Sequence, residues 1–128
     1  MRFSVVLVLL ALVVASCGRH DKAGQQIVGT WQRDGSSDLS VTILGDGSFI
    51  SDFESTNHAV LTYQGTWQLK DRELIMTATN ISGSSSYLHE PVGSVDRLTI
   101  IELDSKHMTV AYQAATNYVA TNTYVRRP

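Results

Sequence analysis

The side chains able to do chemistry in this chain are few and scattered. Cys17 is its one cysteine, so no disulfide forms within the chain and the thiol is left for other covalent use. Of the four histidines, His58, His89 and His107 stand far apart. No pair has the helical or Cys-x-x-Cys-like spacing by which one element presents two metal ligands. His89-Glu90 runs into Pro91 with no second histidine four residues on. All three read as surface histidines, and no metal is expected. The hydroxyl-rich run Ser82 to Ser86 contains Gly83-Ser84-Ser85, which lacks the second glycine of a nucleophile elbow and the strand-to-helix turn that would hold one. Asp52 and Glu54 alternate outward on a strand, where carboxylates solubilise the surface. No nucleophile, base and orienting group can be named together. The expectation is a protein that is not an enzyme and carries no cofactor.

The cysteine has a setting of its own. Arg2 supplies a positive start, and Phe3 to Val14 is apolar apart from Ser4, too short for a transmembrane helix of about 20 residues but suited to an export leader. The leader ends in Val14-Ala15-Ser16-Cys17, which resembles a bacterial lipobox. That resemblance implies cleavage between Ser16 and Cys17, a diacylglyceryl group on the Cys17 thiol, and acylation of the new amino group by a fatty acid such as palmitate. Two or three acyl chains, at about 0.8 kcal/mol per buried methylene, hold a protein at a membrane durably where one chain does not. The partner so implied is a membrane of the bacterial cell envelope. Gly18 is not the aspartate that resembles an inner-membrane retention signal, so the expected address is the outer membrane, facing the periplasm.

From Gly18 to Gln26 no apolar residue exceeds Ala23 in size, and such a stretch cannot offset its ordering entropy by burial. The expected organisation is a leader over residues 1–16, a lipidated tether over 17–26 and one domain over 27–128. Ten Lys plus Arg against twelve Asp plus Glu leave a formal charge of −2, too small and too dispersed to draw in nucleic acid.

The elements that must position everything else are strands. From Ile27 onward short alternating runs are separated by turn chemistry, with no sustained helical period. Strands are expected at Ile27 to Arg33, around Leu39-Val41-Ile43, at Ser48 to Glu54, Val60 to Lys70, Glu73 to Thr79, Val95 to Leu103, His107 to Ala114 and Tyr118 to Arg126. Gly45-Asp46-Gly47 is a hairpin signal, Lys70-Asp71-Arg72 and Asp104-Ser105-Lys106 are turns, and Ser82 to Gly93 is the largest irregular segment. Gly65 marks a bend or bulge. Short connections imply antiparallel neighbours, and eight such strands close into an all-β up-and-down barrel that leaves no sheet edge. An interior of that size is filled by side chains or holds one small ligand. Gly29-Thr30-Trp31-Gln32 and Gly65-Thr66-Trp67-Gln68 echo one another without agreeing in their flanks. They read as two strands solving one packing problem: glycine for close approach, tryptophan to fill a barrel end with its N–H turned to a polar partner.

Ile27-Val28-Gly29-Thr30-Trp31, then Gly45-Asp46-Gly47-Ser48-Phe49, then Gly65-Thr66-Trp67-Gln68-Leu69 with Glu73-Leu74-Ile75-Met76 after a turn, resemble the small bacterial lipocalin-like domains of the calycin group. The likeness spans about residues 27 to 126 and implies a meander barrel that binds a small hydrophobic ligand. Leu39, Val41, Ile43, Leu98, Ile100, Val110 and Tyr112 are the inward residues expected to line it. The alternative is a packed barrel that meets another envelope protein through its loops at 55–57 and 82–93. Within the latter, Ser82-Gly83-Ser84-Ser85-Ser86-Tyr87 is similar, with one residue more, to the Ser-Gly-x-x-Tyr loop of membrane-bound C-type lysozyme inhibitors.

Overall fold

The computed structural model describes residues 24–56, 58–83 and 92–128. Eight strands follow in chain order: β1 (Gly29–Arg33), β2 (Leu39–Ile43), β3 (Ser48–Glu54), β4 (Val60–Lys70), β5 (Glu73–Gly83), β6 (Val95–Leu103), β7 (His107–Ala115) and β8 (Tyr118–Arg127). Each pairs antiparallel with the next, and β8 pairs with β1, closing the barrel. The eight described strands and the core cluster lie between Ile27 and Arg127, so residues 24–128 carry their own core. Two of the expected strand boundaries shift by more than one residue. The first strand begins at Gly29 rather than Ile27, because residues 24–27 form a helical turn. The strand from Glu73 runs on to Gly83, where pairing with β4 continues as far as Leu61 opposite Gly83.

Antiparallel alternation gives the barrel two ends. The helical turn and the turns β2–β3, β4–β5 and β6–β7 lie at the near end; the β1–β2, β3–β4, β5–β6 and β7–β8 connections lie at the far end. Asx geometry closes two of the near turns: Asp46 Oδ1 accepts from Ser48 N at 2.9 Å, and Asp104 Oδ1 accepts from Lys106 N and His107 N at 2.7 Å each. These bonds hold both carboxyls below the usual range, the Ser48 hydroxyl bond leading for Asp46 and the Lys106 backbone N–H for Asp104.

Register decides which residues face inward. Trp31 lies opposite Val41, Val41 opposite Ser51 and Ser51 opposite Tyr63, so the odd-numbered residues of β1 to β4 share the inner face. The irregularity expected at Gly65 falls across from it: Gln64 pairs with Asn80 and Gly65 with Ala78, which leaves Thr79 of β5 as the extra residue. Leu61, Tyr63, Trp67 and Leu69 therefore stay on one face. A second bulge in β6, with Ile100 opposite Val110 but Glu102 opposite Thr109, extrudes Ile101 and lets Leu103 turn inward after Ile100.

The core gathers at the near end. Ile27, Trp31, Ile43, Phe49, Leu74, Met76, Ile100, Met108, Val110 and Tyr124 form one buried cluster. Ile27 and Trp31 are both 0% exposed, and Trp31 Nε1 donates to Ile27 O at 2.8 Å, pinning the helical turn across the opening. The Arg126 guanidinium lies 4.3 Å over the Trp31 ring. It donates from Nη1 to Val28 O at 2.7 Å, from Nη2 to Gln26 O, and from Nε to Ser105 O at 2.9 Å. One buried-side cation thus caps the helical turn, the start of β1 and the β6–β7 turn.

The two Gly-Thr-Trp-Gln segments do solve one problem. At Gly29, with φ +146°, a Cβ would meet Arg126 Nη1 at 2.3 Å; at Gly65 it would meet Thr77 O at 1.8 Å and Phe49 Cε1 at 2.8 Å. In each strand the inward position two before the tryptophan is already filled by a neighbour. Trp67 Nε1 donates to Leu44 O at 2.8 Å, tying its turn as Trp31 ties the helical one.

Candidate functional site

Above the packed floor the interior changes character. All seven residues expected to line it face inward by register, but at different depths. Ile43, Ile100 and Val110 are buried within the core cluster and form the floor. Leu39, Val41 and Leu98 are half-buried and pack on it, and Tyr112 is half-buried higher up. Phe53, Tyr63, Ile81 and Ala120 also point inward yet remain half-exposed. Inward side chains that stay partly exposed mean that, among the described residues, this part of the interior is not filled as the floor is.

Polar groups missed by the sequence reading line this upper half. Arg33 lies opposite Tyr124 and two residues after Trp31, so its side chain leaves the inner face of β1. Asn122, opposite Val110, and Asp96, opposite Met76, face inward by the same register. Burial pushes the Tyr124 phenol up, while the Arg33 charge and hydrogen bonding with Asn122 and Arg33 act the other way, and Tyr112 adds a small upward contribution. Arg33, Tyr112, Asn122 and Tyr124 thus form one polar cluster on the β7–β8–β1 wall. Arg33 Nη1 reaches Asp38 Oδ2 at 3.4 Å, a long contact, and Asp38 is also engaged by the Ser36 hydroxyl at 2.6 Å. Arg33 Nε is buried and has no hydrogen-bond partner among the described residues, as is Ser94 Oγ. Leaving a buried donor unpaired costs about 1–3 kcal/mol. Across the barrel, Asp96 sits in the concave wall, where burial raises its pKa. The residue as a whole is exposed.

The signal for these residues was present in the alternation: Arg33 shares parity with Trp31, and Asn122 and Tyr124 share parity with Ala120. A charge on an alternating strand is ordinarily taken to face water, and barrel closure reverses that reading here.

The remaining candidates do not converge. His58 pairs with Glu54 Oε1 at 2.7 Å and His107 with Asp104 Oδ1 at 3.6 Å, both on the outer surface. Asp52 accepts from Thr62 Oγ1 at 2.7 Å on the outer wall. Among the described residues no three His, Cys, Asp or Glu side chains gather as a metal site. Ser16 and Cys17, His89, and residues 84–91 of the expected interaction loop lie outside the described residues. An open groove of about 370 Å³ lies beneath the β1–β2 loop, lined by Gln32, Arg33, residues 34–37, Val125 and Arg127, so Arg33 borders it as well as the interior.

No family model and no curated protein matches the chain. Among solved structures, a lipocalin-like protein from Bacteroides uniformis superposes with a TM-score of 0.57 at 17% identity, covering 80% of this chain and 99% of that one. The fold is lipocalin-like. An uncharacterized protein from Bacteroides eggerthii superposes with a TM-score of 0.55 at 19% identity, covering 78% of this chain and 98% of that one. At such identities the likeness speaks to the barrel and not to its contents.

Proposed function

We propose that this lipocalin-like barrel is a non-catalytic binding module for a small, largely apolar ligand, held at the bacterial cell envelope through lipidated Cys17. The observation that carries the binding role is the division of the interior. A floor packed to completion around Trp31 lies under a wall of Leu39, Val41, Phe53, Leu98 and Tyr112 that faces inward without being buried. A barrel serving only as a rigid support for its loops gains nothing from leaving half its apolar lining wet.

The anchoring rests on Val14-Ala15-Ser16-Cys17 after an apolar leader. The tether then joins the domain at Gly24, beside the near end, so the open end points away from the anchor. The outer membrane is the favoured address because Gly18 follows the cysteine.

Native mass spectrometry tests the binding role on residues 18–128 exported behind a cleavable leader and purified without detergent. A reproducible small-molecule adduct, released on denaturation, is expected. An apo mass, together with no thermal shift from a panel of apolar compounds, would favour the packed-barrel alternative and turn attention to protein partners at the far-end loops. Metabolic labelling with an alkyne fatty acid tests the anchor: the full chain should take up label and Cys17→Ser should not.

A further inference from the structure

We infer that the ligand is an amphipathic anion whose acidic head is held at mid-barrel by Arg33, Tyr124 and Asn122, with its apolar body running upward along the Leu39, Phe53 and Leu98 wall. This rests on the reading of the barrel as a ligand carrier and adds the ligand's charge, its orientation and the residues that select it.

Two arginines leave the inner face of the wall, and the comparison between them isolates the site. Arg126 donates to three carbonyls and lies over an indole ring, and Trp31 and the helical turn separate it from the open half. Arg33 has a single ion pair at 3.4 Å and a buried Nε without a partner among the described residues. A guanidinium presents five donors in a planar fork that matches a carboxylate or phosphate bidentately. An edge that includes a buried, unpaired Nε is half of such a fork. The Tyr124 hydroxyl and the Asn122 amide stand beside it, and both can donate to the same head.

Neutral ligands do not account for this arrangement. A hydroxyl or carbonyl would satisfy one donor but leave the Arg33 charge balanced only by the long contact to Asp38, whose carboxylate is shared with Ser36. A cation is disfavoured by Arg33 itself. The orientation follows from packing: Trp31 and the closed floor fill the near end, so an apolar body has only the upper wall to occupy. The rim it would approach carries apolar residues, with Val60, Val95, Tyr118 and Val119 between 48% and 62% exposed. On the facing wall Asp96 would repel a second acidic group, which favours a head with one charged centre over a diacid.

The test is calorimetric titration of residues 18–128 with decanoate, decyl phosphate and 1-decanol, three probes sharing one apolar body. Wild type should bind at least one of the two anions about tenfold or more tightly than the alcohol, the scale of a charge-assisted contact. Which anion leads separates a carboxylate head from a phosphate head. Arg33→Gln should erase the preference and leave 1-decanol binding within about threefold of wild type, while Arg33→Lys should retain part of it. Should Arg33→Gln fold poorly, Asn122→Asp introduces a repelling carboxylate at nearly unchanged volume, and it should weaken the anion while sparing the alcohol. Equal binding of anion and alcohol by wild type, or a preference that survives both Arg33→Gln and Asn122→Asp, overturns the assignment of the head to Arg33. Binding of none of the three probes overturns the carrier reading beneath it.

Discussion

At the near end of the barrel a cation, an indole and a helical turn are tied to one another by hydrogen bonds. Arg126 reaches Val28 O, Gln26 O and Ser105 O while lying over Trp31, whose own N–H is taken by Ile27 O. Two residues beyond Trp31 on β1, Arg33, also inward-facing, has one long ion pair and a buried Nε with no partner among the described residues. The same residue type, on neighbouring strands of one sheet, serves as a structural clamp in one layer and an open donor in the next. The difference lies in what each can reach. Arg126 meets backbone carbonyls that the end of a barrel leaves free, whereas Arg33 stands where neighbouring strands have already paired theirs. An unpaired donor survives in a folded domain when stability is supplied elsewhere, and here the near end supplies it.

If that contrast is right, mutations should divide by depth. Trp31→Ala should be the most damaging change, since it empties the floor and frees the helical turn. A loss of about 3–5 kcal/mol is a large part of the 5–15 kcal/mol typical of a domain, and it should appear in urea unfolding as a collapse of the midpoint. Arg126→Met removes the caps on three carbonyls while keeping much of the side chain's bulk. It should cost about 2–3 kcal/mol, with faster amide hydrogen exchange at residues 24–31 as its local mark. Gly65→Ala places a methyl against Thr77 O and Phe49 and should cost about 1–3 kcal/mol through overpacking, read from thermal unfolding. Phe53→Ala in the half-open wall should cost only about 1 kcal/mol yet alter ligand binding, and a loss as large as that of Trp31→Ala would erase the distinction between floor and cup.

The smallest effect concerns pH. Burial raises the Asp96 pKa above its ordinary 3.8, so its folded value exceeds its unfolded one. The associated stability is present below the unfolded value and is lost as pH rises through the folded value. Asp96→Asn should therefore melt slightly higher than wild type at neutral pH, and the gap should close as pH falls below 3.8. A constant gap across the range would mean that the carboxylate is fully solvated and the wall around it open.

Much of this architecture was legible in the sequence, for identifiable reasons. Asp46-Gly47 and Asp104-Ser105-Lys106 carry turn chemistry whose local hydrogen bonds need no distant partner. Period-two alternation in Leu39-Val41-Ile43 and Phe49-Ser51-Phe53 marks strands and their faces, and the paired Gly-Thr-Trp-Gln segments announced a shared packing role. Residues 24–26 were less legible, since a polar run reads as tether until Arg126, far away in sequence, is seen to hold Gln26 O. The extra residue at Thr79 was likewise hidden, because a glycine in β4 signals close approach without saying which strand yields.

What the sequence determined by itself is local: eight strands, their turns and a set of inward residues defined by parity. Only the tertiary structure decided depth. Parity places Ile43, Val110, Leu98 and Tyr112 on one face, but closure with strand stagger sorts them into a sealed floor and an open wall. It also turns Arg33 from a solvent-facing charge into an interior donor. Alternation is a property of one strand, whereas burial depends on what the other seven bring to the same height, and no single stretch of chain contains that information.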